Sequence, residues 1–196
     1  DGNGYVPKLA WTRQAGSASD DGVAGASAEG VSPTLFGSAQ GAVNGAPSQG
    51  GEDLYFYTTA SGDGNLTVNQ RGTGADERIA SGVVEGSTLW VLGNGNEYTV
   101  EQDEEDNLSL TSQPDSSASG FVLGYTIGGE VVRAFNLNDE GDTSEEQFAA
   151  LTSFAGDLIA AGVTNGDFTG TASTSGRSNA IISRVSLLPE LEPDAE

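Results

Sequence analysis

The sequence predicts an all-β chain built from three diverged copies of one four-stranded antiparallel unit, each of roughly sixty residues. Three observations predict it. One residue pattern recurs with a fixed internal spacing, the apolar runs are short and bounded by turn residues, and no long amphipathic helical stretch occurs.

The first copy opens on Trp11-Thr12-Arg13-Gln14, passes Gly16 and the acidic pair Asp20-Asp21, and continues through strands Gly22 to Ala28 and Thr34 to Gly37. The second opens on Leu66 to Gln70, passes Gly72 and Asp76-Glu77, and continues through Ile79 to Val84 and Thr88 to Gly93. In the third, Val131 to Phe135 leads through a longer acidic loop to Glu145-Glu146, Phe148 to Phe154, and Asp157 to Gly162. From the second acidic residue to the closing glycine is sixteen positions each time: Asp21 to Gly37, Glu77 to Gly93, Glu146 to Gly162. Another apolar strand follows in each copy, namely Leu54 to Tyr57, Phe121 to Tyr125, and Ala180 to Ile182. Turns at Gly62-Asp63-Gly64 and Gly128-Gly129 then lead into the next copy, glycine supplying the positive torsions of tight hairpins. In Ser144 to Phe154 the spacing of Phe148, Leu151 and Phe154 is nearly helical, but alignment with Ile79 to Val84 assigns a strand.

The copies occupy about 7–64, 65–129 and 130–188 in a permuted register, forming one domain over 1–188. The last copy ends at its third strand, and Lys8 to Gln14 at the other end of the chain reads as the missing fourth. Pairing of the two would close a ring and remove exposed edges. Residues 189–196 read as an acidic, proline-containing linker.

Charge and composition exclude several functions. Twenty-nine acidic residues face seven basic ones, for a net charge of -22, and Lys8 is the single lysine. That balance argues against nucleic acid and against an anionic membrane surface, since both require a cationic face. No apolar run reaches the length of a membrane span, so no membrane insertion is expected. Cysteine and histidine are absent, which removes disulfides, thiolate or imidazole metal sites, and Ser-His-Asp or Cys-His catalysis. An acidic, lysine-poor, cysteine-free surface fits an extracellular or cell-surface protein of a marine or salt-adapted microbe. A chain that starts at Asp1 and has no methionine reads as a processed product or an excised segment.

The order Trp-Thr-Arg-Gln, Gly, Asp-Asp, two strands ending in Gly, then Gly-Gly-Glu-Asp before an aromatic strand and a Gly-Asp-Gly turn, resembles the bacterial seven-bladed-propeller type of repeat. Residues 7–64 carry the likeness best, and the other two copies extend it over nearly the whole chain. The resemblance implies an extracellular repeat scaffold of propeller-like blades, with no shared catalytic residues. Three units are fewer than the four to eight blades of a propeller. Assembly in trans, a place within a larger protein, or a compact pseudo-threefold packing would each account for that. The insertion Asn94 to Ser117 is a second departure from the repeat.

Of the enzymatic chemistries only a carboxylate pair remains, as in glycoside hydrolysis. The acidic pairs recur once per copy, however, which fits a structural turn better than a single active site. Calcium is the candidate cofactor. Asn136, Asn138, Glu140 and Asp142 alternate like the opening of a calcium loop with Gly141 at the sharp turn, although Gln147 stands where that loop carries its bidentate glutamate. Asp103 to Asn107 forms a second anionic cluster, which also reads as a solvated loop tip. Tyr55 and Tyr57 share one face of a strand, where they could stack on a sugar or peptide or pack between sheets. The expected function is a non-enzymatic surface module for adhesion or assembly, with protein partners that include copies of itself. The alternatives are a calcium-dependent glycan or peptide receptor and, behind it, a carbohydrate-active enzyme.

Overall fold

The computed structural model of the chain describes residues 12–29, 32–59, 65–95, 97–102, 108–113, 119–137, 146–164 and 178–187. Among these residues every regular element is a strand. Sheet I is an antiparallel meander of β1 (Asp21–Glu29), β2 (Ser32–Ala39), β3 (Asp53–Thr59) and β4 (Leu66–Arg71). Sheet II repeats it with β5 (Arg78–Glu85), β6 (Thr88–Gly95), β9 (Ser119–Thr126) and β10 (Val131–Asn136). Between β6 and β9 the insertion forms its own hairpin, β7 (Glu97–Gln102) with β8 (Leu108–Gln113). Sheet III consists of β11 (Glu146–Phe154), β12 (Asp157–Thr164) and β13 (Asn179–Ser186). The opening strands β4 and β10 pair with the last strand of the preceding copy, as the permuted register requires.

Ring closure is not seen in the described residues. Thr12 to Gln14 is irregular, not a strand, while Lys8 to Trp11 lies outside the described residues, as does the linker 189–196. Sheet III therefore has three strands here instead of four, with β13 at its edge. The irregular segment is drawn over the outer face of sheet I, where Ala15 packs on the Tyr55 and Tyr57 cluster.

The sixteen-residue spacing has a structural cause. In each sheet the glycine pairs with the residue two positions after the acid: Val23 with Gly37, Ile79 with Gly93, Phe148 with Gly162. A β-bulge follows at once, its extra residue being alanine every time: Ala24, Ala80 and Ala149. The pairing then runs without further shifts to Glu29 and Ser32, Glu85 and Thr88, and Phe154 and Asp157, the last two pairs joined by a two-residue reversal. Gly86 takes φ 61 in the reversal of sheet II, and Ala155 and Gly156 take φ 54 and 84 in that of sheet III, the positive torsions that match strand twist. A Cβ on any of the three paired glycines would collide with the carbonyl of the residue just before its strand partner, Gly22, Arg78 or Gln147. Bulge and glycine form one device: the bulge pushes a carbonyl toward the neighbouring strand, and glycine leaves room for it.

Because strand side chains alternate, each sheet has two faces, and the sheets stack by a single rule. Phe36, Leu54 and Phe56 of sheet I bury against Ile79, Leu89, Val91, Phe121, Leu123 and Tyr125 of sheet II. On the far side of sheet II, Trp90, Leu92 and Val122 bury against Phe148, Leu158, Ala160 and Ile181 of sheet III. Two asparagines add polar anchors. Asn94 accepts from Phe148 N at 2.7 Å and donates to its carbonyl at 2.8 Å, while Asn136 pairs in the same way with the Tyr98 backbone at 2.9 and 3.0 Å. Each carboxamide stands in for a peptide group and fixes one element on the next.

Candidate functional site

Three places in the structure concentrate chemistry: the loops before β1 and β5, a buried carboxylate pair, and a cleft on sheet I. In the loop before β1, Asp21 turns its carboxylate back onto Ser17, accepting from the backbone N at 2.8 Å and from Oγ at 2.7 Å. Before β5, Glu77 does the same with Thr73 N at 3.2 Å and Thr73 Oγ1. The glycine one residue earlier, Gly16 or Gly72, gives the carboxylate its space. Gly141, Asp142 and Glu146 hold the matching sequence positions in the third copy. The recurring acids of the first two copies thus tie down loops.

In the second copy the arrangement is elaborated. Glu77 is almost wholly buried, and its Oε1 also accepts from the Tyr98 hydroxyl at 3.2 Å. Asp53, fully buried on β3, accepts through Oδ2 from Gln49 N at 2.9 Å and Gln70 Nε2 at 2.8 Å. The second oxygen of each acid, Asp53 Oδ1 and Glu77 Oε2, has no hydrogen-bond partner, and both converge on Gly72. Burial, offset in part by the Thr73 and Tyr98 hydrogen bonds and reinforced by the charge of Asp53, pushes the Glu77 carboxyl up to about 7. Near neutrality the Glu77 carboxyl is therefore protonated part of the time, chiefly because burial penalises its charged form. Burial and the nearby Glu77 also push the Tyr98 and Tyr125 hydroxyls well above their usual range. The pair is closed off by packing, with the Tyr98 ring edge-on to Phe121 at 4.6 Å, so it works as an internal polar joint between sheets I and II and the hairpin.

Tyr55 and Tyr57 lie on the outer face of sheet I with ring centroids 5.1 Å apart, both buried beneath Ala15, Val43 and their neighbours. Tyr55 donates to the Gly22 carbonyl at 2.9 Å, the same carbonyl that crowds Gly37. Tyr57, raised to about 12 chiefly by burial, has a hydroxyl without a partner, and so does Thr59. Both residues line an apolar cleft of about 380 Å³ whose other walls include Val23, Ala26, Pro33 and Leu35. Gln70 holds the covering loop in place, accepting from Val43 N at 2.8 Å and donating to Gly41 O at 2.9 Å.

Of the calcium-loop residues, Asn136 has both side-chain atoms engaged with Tyr98, and Asn138, Glu140 and Asp142 lie outside the described residues, as does the cluster at 103–107. Among the described residues no group of three or more acidic side chains could hold a metal ion, and no helix is long and apolar enough to cross a membrane. Sequence reasoning missed Asp53 and Glu77 as a pair, and it missed Tyr98 as their partner. The available signal was the break in symmetry: where Asp53 stands, the other copies carry Ser119 and Asn179.

No protein-family model matches the chain, and no curated protein matches it.

Proposed function

We propose that this chain is a non-enzymatic, extracytoplasmic module of a surface protein or filament that acts in adhesion or assembly, its sheets stacking in the manner of propeller blades. The observation that carries the reading is the use the molecule makes of its chemistry. Asp21 and Glu77 hold loops, Asp53 and Glu77 are buried, and most core side chains serve sheet-on-sheet packing. A cysteine- and histidine-free surface of charge -22 supports a place outside the cytosol. The test is to delete or shield the module in its parent protein and measure surface attachment and filament assembly. Loss of either is expected, and unchanged attachment and assembly would count against the proposal.

A second reading is favoured by one observation, the two partnerless hydroxyls of Tyr57 and Thr59 beside an apolar cleft. On this reading the module is a calcium-dependent receptor for a glycan or an extended peptide, with calcium taken by the loop from Asn136 to Asp142. Calorimetry with calcium, then with glycan and peptide panels, separates the two readings, and absence of heat in every titration would end this one.

A further inference from the structure

The two ends of the stack are the two halves of the interface that joins its sheets. Pairing sets the equivalences. Gly37, Gly93 and Gly162 pair with Tyr55, Phe121 and Ile181, so one residue further on Phe56, Val122 and Ile182 hold the same position on the opposite face. Phe56 and Val122 are 0 % exposed beneath the next sheet, whereas Ile182 is 74 % exposed. Val163, on the same face of sheet III, is 45 % exposed.

The opposite end offers the complement. Pro33, Leu35, Tyr55, Tyr57 and Thr59, which line the cleft on sheet I, correspond to Leu89, Val91, Phe121, Leu123 and Tyr125 of sheet II. Those five are the surface on which sheet I seats Phe36, Leu54 and Phe56. The cleft thus stands where a preceding sheet would dock, and the Ile182 face stands where a following sheet would be covered. Among the described residues no core cluster joins sheet I to sheet III; Ala15 and Val43 cover Tyr55 and Tyr57, while Val23, Ala26 and Pro33 on the β1–β2 side of the cleft stay exposed.

We infer that a second copy of this chain docks head to tail, its Ile182 face seating in the cleft of the first. This inference rests on the assembly reading and names the partner. Such an interface is heterologous: two unlike surfaces of one chain meet, and repetition closes a ring or extends a filament, depending on the rotation per step. The high like charge of the copies opposes the contact, so screening by salt strengthens it.

The test is solution mass by sedimentation equilibrium across concentration, in dilute and in molar sodium chloride, for the full chain and two variants. Ile182→Glu places a charge on the protruding face, and Ala26→Glu, at an exposed position, places one on the cleft wall. Each alone is expected to weaken self-association by about 30-fold or more, the scale of a central interface residue. An equimolar mixture of the two variants still has one intact cleft and one intact Ile182 face. It is expected to form pairs of twice the 19.9 kDa chain mass and nothing larger. A wild-type mass of 19.9 kDa at every concentration and salt would overturn the inference, as would variants that associate like wild type. The assembly reading fails separately: if wild type stays monomeric yet deletion of the module abolishes attachment, the partner is a different protein and the reading stands.

Discussion

Replacing Gly162 with alanine tests whether the bulge and its facing glycine form a single device. The three nearest atoms to a Cβ at this position are all backbone, Gln147 O, Phe148 Cα at 2.7 Å and Gln147 C at 2.9 Å. No side chain can swing aside, so β11 must move away from β12 or the bulge must flatten. Flattening would shift every later residue of β11 by one and turn Leu151 out of the core, since alternation fixes which face a residue occupies. The less costly response is local overpacking at the upper end of its usual range, about 3 kcal/mol. With a urea dependence of about 2 kcal/mol per molar, the unfolding midpoint should fall by about 1.5 M. Gly74→Ala is the control, because a Cβ there meets nothing within 4 Å and its φ is not positive. That change should be neutral or stabilise by about 0.5 kcal/mol through the unfolded chain. A Gly162→Ala midpoint within the scatter of the control would show that bulge and glycine are not coupled.

Ala155→Asn should stabilise the protein, because Ala155 holds φ 54 and a left-handed alanine costs about 1 kcal/mol that an Asn-Gly reversal largely avoids. Calorimetry should show Tm higher by about 2–4 °C. Asn94→Ala strips Phe148 of partners for both its N–H and its carbonyl, and should cost about 2–3 kcal/mol in the same urea titration. The Glu77 carboxyl is raised to about 7 in the fold from an ordinary 4.5, so its contribution is fully present below 4.5 and lost as pH rises through 7. Wild type should therefore lose about 3 kcal/mol relative to Glu77→Gln between pH 4.5 and pH 8, measured by urea midpoints at each pH. A constant difference between the two proteins across that range would contradict the buried pair.

Much of this fold was legible because the repeat is a geometric device and not only a likeness of residues. A bulge, a facing glycine and a two-residue reversal fix the number of residues from acid to glycine, so the spacing of sixteen survives where side chains diverge. The near-helical spacing within Ser144 to Phe154 has the same origin. The extra residue Ala149 moves the inward position after Phe148 to Leu151, three residues on, while Phe154 ends exposed at the reversal. Strand alternation also places Tyr55 and Tyr57 together, but their burial depends on a loop forty residues earlier in the case of Ala15, and on Val43, held by Gln70. The carboxylate pair was hidden for a related reason. Asp53 lies on β3 and Glu77 in the loop before β5, and Tyr98, which donates to Glu77, comes from an insertion that the other copies lack.

Three equivalent sheets follow one another through one repeated interface. Because the chain lacks cysteine, spin labels can be placed at will, and Gly22, Arg78 and Gln147 are exposed equivalents just before each bulge. Cysteine pairs at these positions, spin-labelled and measured by pulsed electron resonance, would give the three sheet-to-sheet distances. Matching distances are expected for 22–78 and 78–147 and a longer one for 22–147. Three equal distances, as in a closed threefold packing, or unequal neighbouring distances would contradict this arrangement.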